Sequence, residues 1–395
     1  MTASATDSRK PLIAIDFTAF DRSNMGAGQY RYMVQLIRGF SRKSGIRFLV
    51  VGSLPEPVPE IRDIIESHPD WDFTQLRPHS YRFNDITYQL RYSWLLRRRG
   101  ADLFHATHMA VPFFPPCPVL LTKYDLMEEI FDEYAAIRSH RTYRMHKSAC
   151  RSRVDRIISI SRCTHDDLVR FFKVDPQKSR VIYLAVDSSV KPEAPAFALD
   201  PDWVSHIEGG SPWLLSPYNL EPRKNLLGLC RAMPEILRQH PDTRLVLFGR
   251  AAWSEQREND FNAELEKLGI APCVHRTGFV SEGELVWLYG NASIFVFPTF
   301  YEGFGYPIIE AMSAGACVVA GNTSSMAELL DGVGTGVDVR DSQSIAGAVS
   351  ALLSDPDRRA EAGRKGREWA AGFSLDNLVD QTFETYLEML GMNNS

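Results

Sequence analysis

Residues 294–321 read IFVFPTFYEGFGYPIIEAMSAGACVVAG. Ile294 to Phe297 is an apolar run the length of a buried strand, and Cys317 to Gly321 is a second one. Between them come the turn Glu302-Gly303-Phe304-Gly305-Tyr306 and then Pro307, which is tolerated in the first turn of a helix because the N–H it lacks has no partner there. Strand, turn, helix and strand in this order form a βαβ unit, whose two strands run parallel in one sheet.

The same arrangement repeats outward from this stretch. PLIAID (11–16), RFLVVG (47–52), DLFHA (102–106), PVLLT (118–122) and RIISIS (156–161) are buried-strand runs of the first half. WLLSP (213–217), RLVLFG (244–249), IFVFP (294–298) and CVVAG (317–321) repeat the plan in the second. The fold class is α/β, with two doubly wound parallel sheets, one in residues 1–187 and one in 211–373. Residues 188–210, with three prolines and few apolar runs, read as the linker. Residues 374–392 carry Leu375, Leu378, Phe383, Tyr386, Leu387 and Leu390 at helical spacing, so an amphipathic helix is expected to pack on either body. Open α/β sheets bind ligands beyond the carboxyl ends of their strands, so two such bodies are expected to share a cleft.

The chain has 395 residues, 44 % of them hydrophobic and 24 % charged, which excludes a largely disordered or collagen-like protein. Its start, MTASATDSRK, has no apolar core, and no apolar stretch approaches the roughly 18 residues of a membrane span, so neither a secretion signal nor a spanning helix is expected. Six scattered cysteines with no CxxC pair read as reduced thiols of a cytosolic protein. The net charge of -5 conceals an asymmetry: residues 1–187 hold 28 Lys+Arg and 21 Asp+Glu, the remainder 16 and 28. The basic half is expected to face something anionic.

The chemistry concentrates in the stretch already quoted. Gly303 and Gly305 let a backbone approach a ligand, and the helix start after them favours an anion. Glu302 in the loop and Glu310 in the helix are two carboxylates aimed at one place, each able to accept from two vicinal sugar hydroxyls. This segment resembles the signature of the retaining glycosyltransferases of family 4, whose GT-B fold is two Rossmann-like domains facing a central cleft and whose two glutamates are separated by seven residues, as Glu302 and Glu310 are. The resemblance implies that Glu302 and the amides of Gly303, Phe304 and Gly305 hold the donor sugar and its phosphate, and that Glu310 holds the ribose.

Other segments are similar to the same family. Glu221-Pro222-Arg223-Lys224 looks like its Glu-Pro-x-Lys element, implying that Lys224, with Arg223 as helper, stabilises the departing diphosphate. Many members carry an Arg slightly earlier, where Tyr218 and Asn219 stand here, so Arg223 is expected to supply that charge. Gly249-Arg250, Phe279, Val280 and Leu285 match elements beside the nucleotide base and ribose. Gly26 and Gly28 resemble the loop after the first strand that contacts diphosphate or acceptor. Tyr124-Asp125 is similar to a His-Asp-Leu element, with Tyr124 in place of the His; His105 and His108 are the candidate substitutes, each as readily a structural histidine. The activity implied is transfer of a hexosyl unit, mannose from GDP-mannose favoured, to a saccharide or lipid-linked acceptor in bacterial surface polysaccharide synthesis. The alternatives are a UDP-sugar-dependent transferase, a non-hydrolysing sugar-nucleotide epimerase of the same fold, and a non-catalytic sugar-nucleotide-binding subunit.

Arg138, Arg141, Arg144, Lys147 and Arg151 recur at spacings that form one helical stripe, expected either to meet an anionic membrane surface at the inner face of the cell membrane or to be a solvated face. Arg97, Arg98 and Arg99 after Trp94 form a second basic cluster. Nucleic acid is not expected, because aromatic interleaving is missing. The Asp-x-Asp tripeptides at 70–72, 200–202 and 355–357 sit in proline-rich turn contexts, so no metal and no cofactor beyond the nucleotide-sugar is expected.

Overall fold

The computed structural model describes residues 9–19, 28–76, 86–108, 111–187, 189–195, 201–249 and 254–392. The chain forms two compact units, one of residues 1–185 with 375–395, the other of residues 186–374.

The sheet of the first unit contains β1 (Leu12–Phe17), β2 (Arg47–Gly52), β3 (Trp71–Gln75), β4 (Leu103–Ala106), β5 (Val119–Lys123), β6 (Arg156–Ser159) and β7 (Ser179–Val181), in the order β3-β2-β1-β4-β5-β6-β7. The second contains β8 (Trp213–Pro217), β9 (Arg244–Phe248), β10 (Val274–Gly278), β11 (Ile294–Phe297), β12 (Val318–Gly321) and β13 (Thr335–Val337), in the order β10-β9-β8-β11-β12-β13. Among the described residues the named strands all pair in parallel, and one isolated antiparallel bridge joins Gly249 and Gly278. In each unit the first strand lies inside the sheet and the chain winds away from it to one side and then the other. The topological switch therefore falls between β1 and β4, and between β8 and β11.

The expected strands are present because they are buried on both faces: β1, β4, β5, β11 and β12 are buried along their whole length. Four further strands, β3, β7, β10 and β13, are the edges of the two sheets. Each is partly exposed, so its sequence carries no continuous apolar run.

The stretch read as a linker holds a helix, Pro201–Glu208. Its Trp203 is buried edge-on against Trp213 at 6.2 Å and His275 at 5.3 Å, with the Arg244 guanidinium over it, so the helix is anchored on the second sheet.

The C-terminal helix, Leu375–Met389, packs on the first unit. It meets helix Gly28–Phe40 at Gly39, where a Cβ would lie 2.0 Å from Val379 Cγ2, so no larger residue fits unless the helices separate. Phe40 sits between Phe48 and Tyr386, and Lys43–Asp380 and Arg180–Glu384 ion pairs flank the contact. At its centre Tyr386 OH shares a hydrogen bond of 2.6 Å with His105 Nδ1, and His105 Nε2 shares one of 2.8 Å with Thr122 Oγ1. Burial lowers the His105 pKa to about 3, from an ordinary 6.5, so the imidazole is neutral at physiological pH.

Tyr386→Phe leaves a buried ring nitrogen unpartnered and is expected to cost about 1–3 kcal/mol, read by urea denaturation. Because the unfolded histidine takes up its proton first, the wild type loses stability as pH falls from about 6.5 toward 3. No loss in Tyr386→Phe would show that the hydrogen bond contributes nothing.

Candidate functional site

Two loops leave the carboxyl ends of β8 and β11, on either side of the second switch point. After β8, Pro222–Lys224 form a tight turn that ends in Asn225, whose φ of 52° lies in the left-handed region that asparagine tolerates. Asn225 Nδ2 donates to the carbonyls of Pro298 (3.1 Å) and Val339 (2.7 Å). In return the Phe300 amide (2.8 Å) and Thr299 Oγ1 (2.9 Å) donate to the Arg223 carbonyl. The two loops are thus stitched together by main-chain acceptors, which fixes the side chains they carry.

Those side chains converge on Glu302. Lys224 Nζ donates to Oε1 at 2.5 Å, and Arg223 NH1 lies 3.1 Å from Oε2. Arg223 Nε donates to Glu221 Oε1 at 2.7 Å and its NH1 to the Tyr301 carbonyl at 3.1 Å. The side chains of Arg223 and Glu302 are each 14 % exposed, that of Lys224 19 %. Burial alone would lower the Arg223 pKa, but the Glu302 and Glu221 carboxylates outweigh it and hold the guanidinium above its ordinary value. Two cations thus share one carboxylate, with Arg223 beside Lys224.

The backbone after Glu302 is held from below. The Glu302 amide donates to Ser324 Oγ at 3.2 Å, and Ser325 Oγ reaches the carbonyls of Glu302 (2.8 Å) and Phe304 (2.7 Å). Gly305 has φ 105°, which a side chain would strain, and it opens helix Tyr306–Ala314, with Pro307 in its first turn. Glu310 on this helix accepts from Tyr289 OH at 3.4 Å. Tyr289 and Leu285 lie one turn apart on helix Glu282–Asn291, which starts with a capping box between Ser281 and Glu284. Gly249, with φ 91°, donates its amide to the Gly278 carbonyl at 2.9 Å where β9 and β10 end, and Phe279 beyond it is 84 % exposed, with Val280 half-buried. Gly249, Phe279 and Val280 follow the carboxyl ends of β9 and β10, and Gly305 follows that of β11. Arg250 and Gly26 lie outside the described residues; Gly28 opens helix Gly28–Phe40.

The first unit has a cavity of about 220 Å³ beyond the carboxyl ends of β4 and β5, lined among others by Gln29, His108, Lys123, Tyr124, Asp125 and Glu128. Burial, with Lys123 nearby, lowers the His108 pKa to about 4. Lys123 is nearly buried, with its ammonium 5.3 Å from the Phe172 ring. Glu128 Oε2 is buried without a hydrogen bond among the described residues, and burial raises its carboxyl pKa although Lys123 pulls it down. His105 is corrected as a site residue: both ring nitrogens are engaged and it is fully buried, so it positions the C-terminal helix instead of meeting a ligand.

The single basic stripe is corrected as well. The helix breaks at His140, leaving Arg138 on the short helix Ala135–Ser139, where it binds the Glu128 carbonyl and Asp132. Lys147 turns to Glu129 at 2.7 Å. On helix Arg141–Ser152, Arg141, Arg144 and Arg151 remain exposed.

Two family models match the chain: Glycosyltransferase Family 4 over residues 26–190, and Glycosyl transferases group 1 over residues 202–369. Together they take in most of its length. The chain is a family 4 glycosyltransferase. This glycosyltransferase is 27 % identical to O-antigen chain mannosyltransferase B of Escherichia coli over 369 residues, 90 % of this chain and 94 % of that one. It is 35 % identical to a GDP-mannose-dependent alpha-(1-6)-phosphatidylinositol monomannoside mannosyltransferase of Mycolicibacterium smegmatis over 195 residues, 46 % of this chain and 49 % of that protein. Sucrose-phosphate synthase from Thermosynechococcus elongatus has the same fold, with a TM-score of 0.74 at 19 % identity over 97 % of this chain and 100 % of that one. The fold is GT-B, two Rossmann-like parallel-sheet domains.

The sequence reading of the glycosyltransferase named neither the residues that hold its site, Asn225, Thr299, Ser324 and Ser325, nor the cavity residues Lys123 and Glu128. Asn225 directly follows the Glu-Pro-x-Lys element, and its side-chain amide was the one available signal. A buried carboxyl with a raised pKa destabilises the folded state once pH exceeds the unfolded carboxylate pKa, because the unfolded chain gives up its proton more readily. Glu128→Gln is therefore expected to melt higher than the wild type at pH 7 and to lose that advantage near pH 4, read by calorimetry. Equal melting at pH 7 would contradict it.

Proposed function

We propose that this glycosyltransferase transfers mannose from GDP-mannose to a saccharide or polyprenyl-linked saccharide acceptor, with retention at the anomeric carbon, in bacterial surface polysaccharide synthesis. The observation that carries the reading is the convergence of Lys224 and Arg223 on Glu302 at the switch point of the second sheet. The mannosyltransferase names of the two relatives favour the sugar, and the GDP-mannose dependence of one favours the nucleotide.

In this reading Glu302 orients the donor sugar through its hydroxyls, while the amides of Gly303, Phe304 and Gly305 lie along the phosphate and Glu310 takes the ribose hydroxyls. The bond from the anomeric carbon to the phosphate oxygen breaks, and Lys224 and Arg223 stabilise the charge growing on that oxygen. The acceptor hydroxyl attacks from the same face and gives its proton to the departing phosphate oxygen, so no protein base is required. Retention follows from that single-face path.

Among the described residues no helix is long and apolar enough to cross a membrane. Peripheral attachment to an anionic membrane, on the cytoplasmic side, is part of the proposal. Its support lies on helix Ile86–Arg99, where Leu90 and Trp94 are 47 % and 59 % exposed beside exposed Arg91, Arg97 and Arg98. Arg98 lies over the Trp94 ring, whereas Arg99 is held by Asp72.

GDP at about 100 times its dissociation constant is expected to add about 2.7 kcal/mol of stability in a thermal-shift assay, UDP less, and Glu310→Ala to abolish the shift. With GDP-mannose and a mannosyl acceptor, GDP release should require the acceptor. A shift with UDP alone would overturn the donor, and GDP release independent of acceptor would overturn transfer. Trp94→Ala combined with Arg98→Glu is expected to lower co-sedimentation with phosphatidylglycerol-containing vesicles at low salt; unchanged sedimentation would remove the membrane from the reading.

A further inference from the structure

The charges around Glu302 compensate one another. Lys224 and Arg223 supply two positive charges, Glu302 and Glu221 two negative ones, and the four side chains are joined by contacts of 2.5–3.1 Å. Both Glu302 oxygens are engaged, Oε1 by Lys224 and Oε2 by Arg223. Its main chain is pinned at both ends of the residue, the amide by Ser324 and the carbonyl by Ser325, so any change of partner falls to the side chain alone.

A diphosphate needs Lys224 and Arg223, and a sugar needs Glu302, yet these groups satisfy one another. We infer that Glu302 is a built-in competitor for the diphosphate, holding Lys224 and Arg223 in its place until the donor arrives. The inference rests on the reading of those two cations as diphosphate-binding. Entry of a diphosphate takes over the two cations, and the freed carboxylate then turns to the hydroxyls of the attached sugar. Sugar recognition is thereby conditional on phosphate recognition, so a free hexose finds no vacant carboxylate. After transfer the sugar has gone, and Glu302 returns to the cations and speeds departure of the nucleoside diphosphate. The same carboxylate thus weakens ground-state binding of the diphosphate and serves the sugar during reaction.

This assigns opposite signs to two measurements on one variant. When part of a population is held in a form that cannot bind, apparent affinity falls by the competent fraction, and removing the competitor restores it. Glu302→Gln keeps the shape and removes the charge. It is expected to bind inorganic pyrophosphate and GDP about tenfold more tightly than the wild type by calorimetric titration, and to release GDP more slowly, while turnover of the donor falls about 100-fold. Glu302→Asp keeps the charge and should bind pyrophosphate close to the wild-type level, which separates charge from fold. Lys224→Ala, titrated alongside, should weaken pyrophosphate binding. Weaker binding in Lys224→Ala with equal or looser binding in Glu302→Gln would overturn the competitor role and leave the diphosphate reading standing. Unchanged pyrophosphate binding in Lys224→Ala, or none by wild type and Glu302→Gln alike, would overturn both.

Discussion

All strands of a parallel sheet leave through one edge, and everything at the candidate site depends on that constraint. With the first strand inside the sheet, the connections after β8 and β11 diverge to opposite faces and leave a crevice that no helix fills. Residues 221–225 and 298–305, far apart in sequence, are forced side by side there. The charged residues supplied by one loop meet the carboxylate supplied by the other because both loops leave neighbouring parallel strands at the same edge. The first sheet has the same strand order with one further strand, β7, and its cavity beyond β4 and β5 lies at the corresponding edge.

The two edges treat charge differently. In the second unit the mostly buried Arg223, Lys224, Glu221 and Glu302 compensate one another, which offsets the several kcal/mol that burying an unpaired ion costs. Four neutral side chains, Asn225, Thr299, Ser324 and Ser325, do the positioning through main-chain bonds, so the charges themselves need not hold the loops together. In the first unit Lys123 has an aromatic ring for company and Glu128 keeps one oxygen unsatisfied.

Interior strands could be read from the sequence because burial on both faces writes a continuous apolar run, as in Ile294 to Phe297. Edge strands such as Val274–Gly278 and Thr335–Val337 escaped because one side meets solvent or a single layer, and their residues are mixed. Among the residues named from the sequence, Glu302, Lys224 and Arg223 are brought together by the structure, and their charges and motif spacing made them visible. Ser324 and Thr299 were not visible, since a hydroxyl bonding to main chain has no spacing rule of its own. His105 and the basic stripe misled for a related reason. A strand-end histidine has the same local sequence whether it faces a ligand or Tyr386, and periodicity cannot foresee the break at His140 or the turn of Lys147 toward Glu129.

The route of the chain carries one more consequence. The second unit is inserted into the first: the backbone leaves after Ala185, builds residues 186–374 and returns as the helix that closes on Gly39, Phe40 and His105. The two passages are pinned to each other, the Val186 amide donating to the Phe373 carbonyl at 3.0 Å. During synthesis the first sheet therefore emerges from the ribosome early but remains without the helix that covers it until Leu375–Met389 is made. The second unit has all its own residues available sooner. The usual order of domain completion along a nascent chain is reversed, and the half that begins first is the half that must wait.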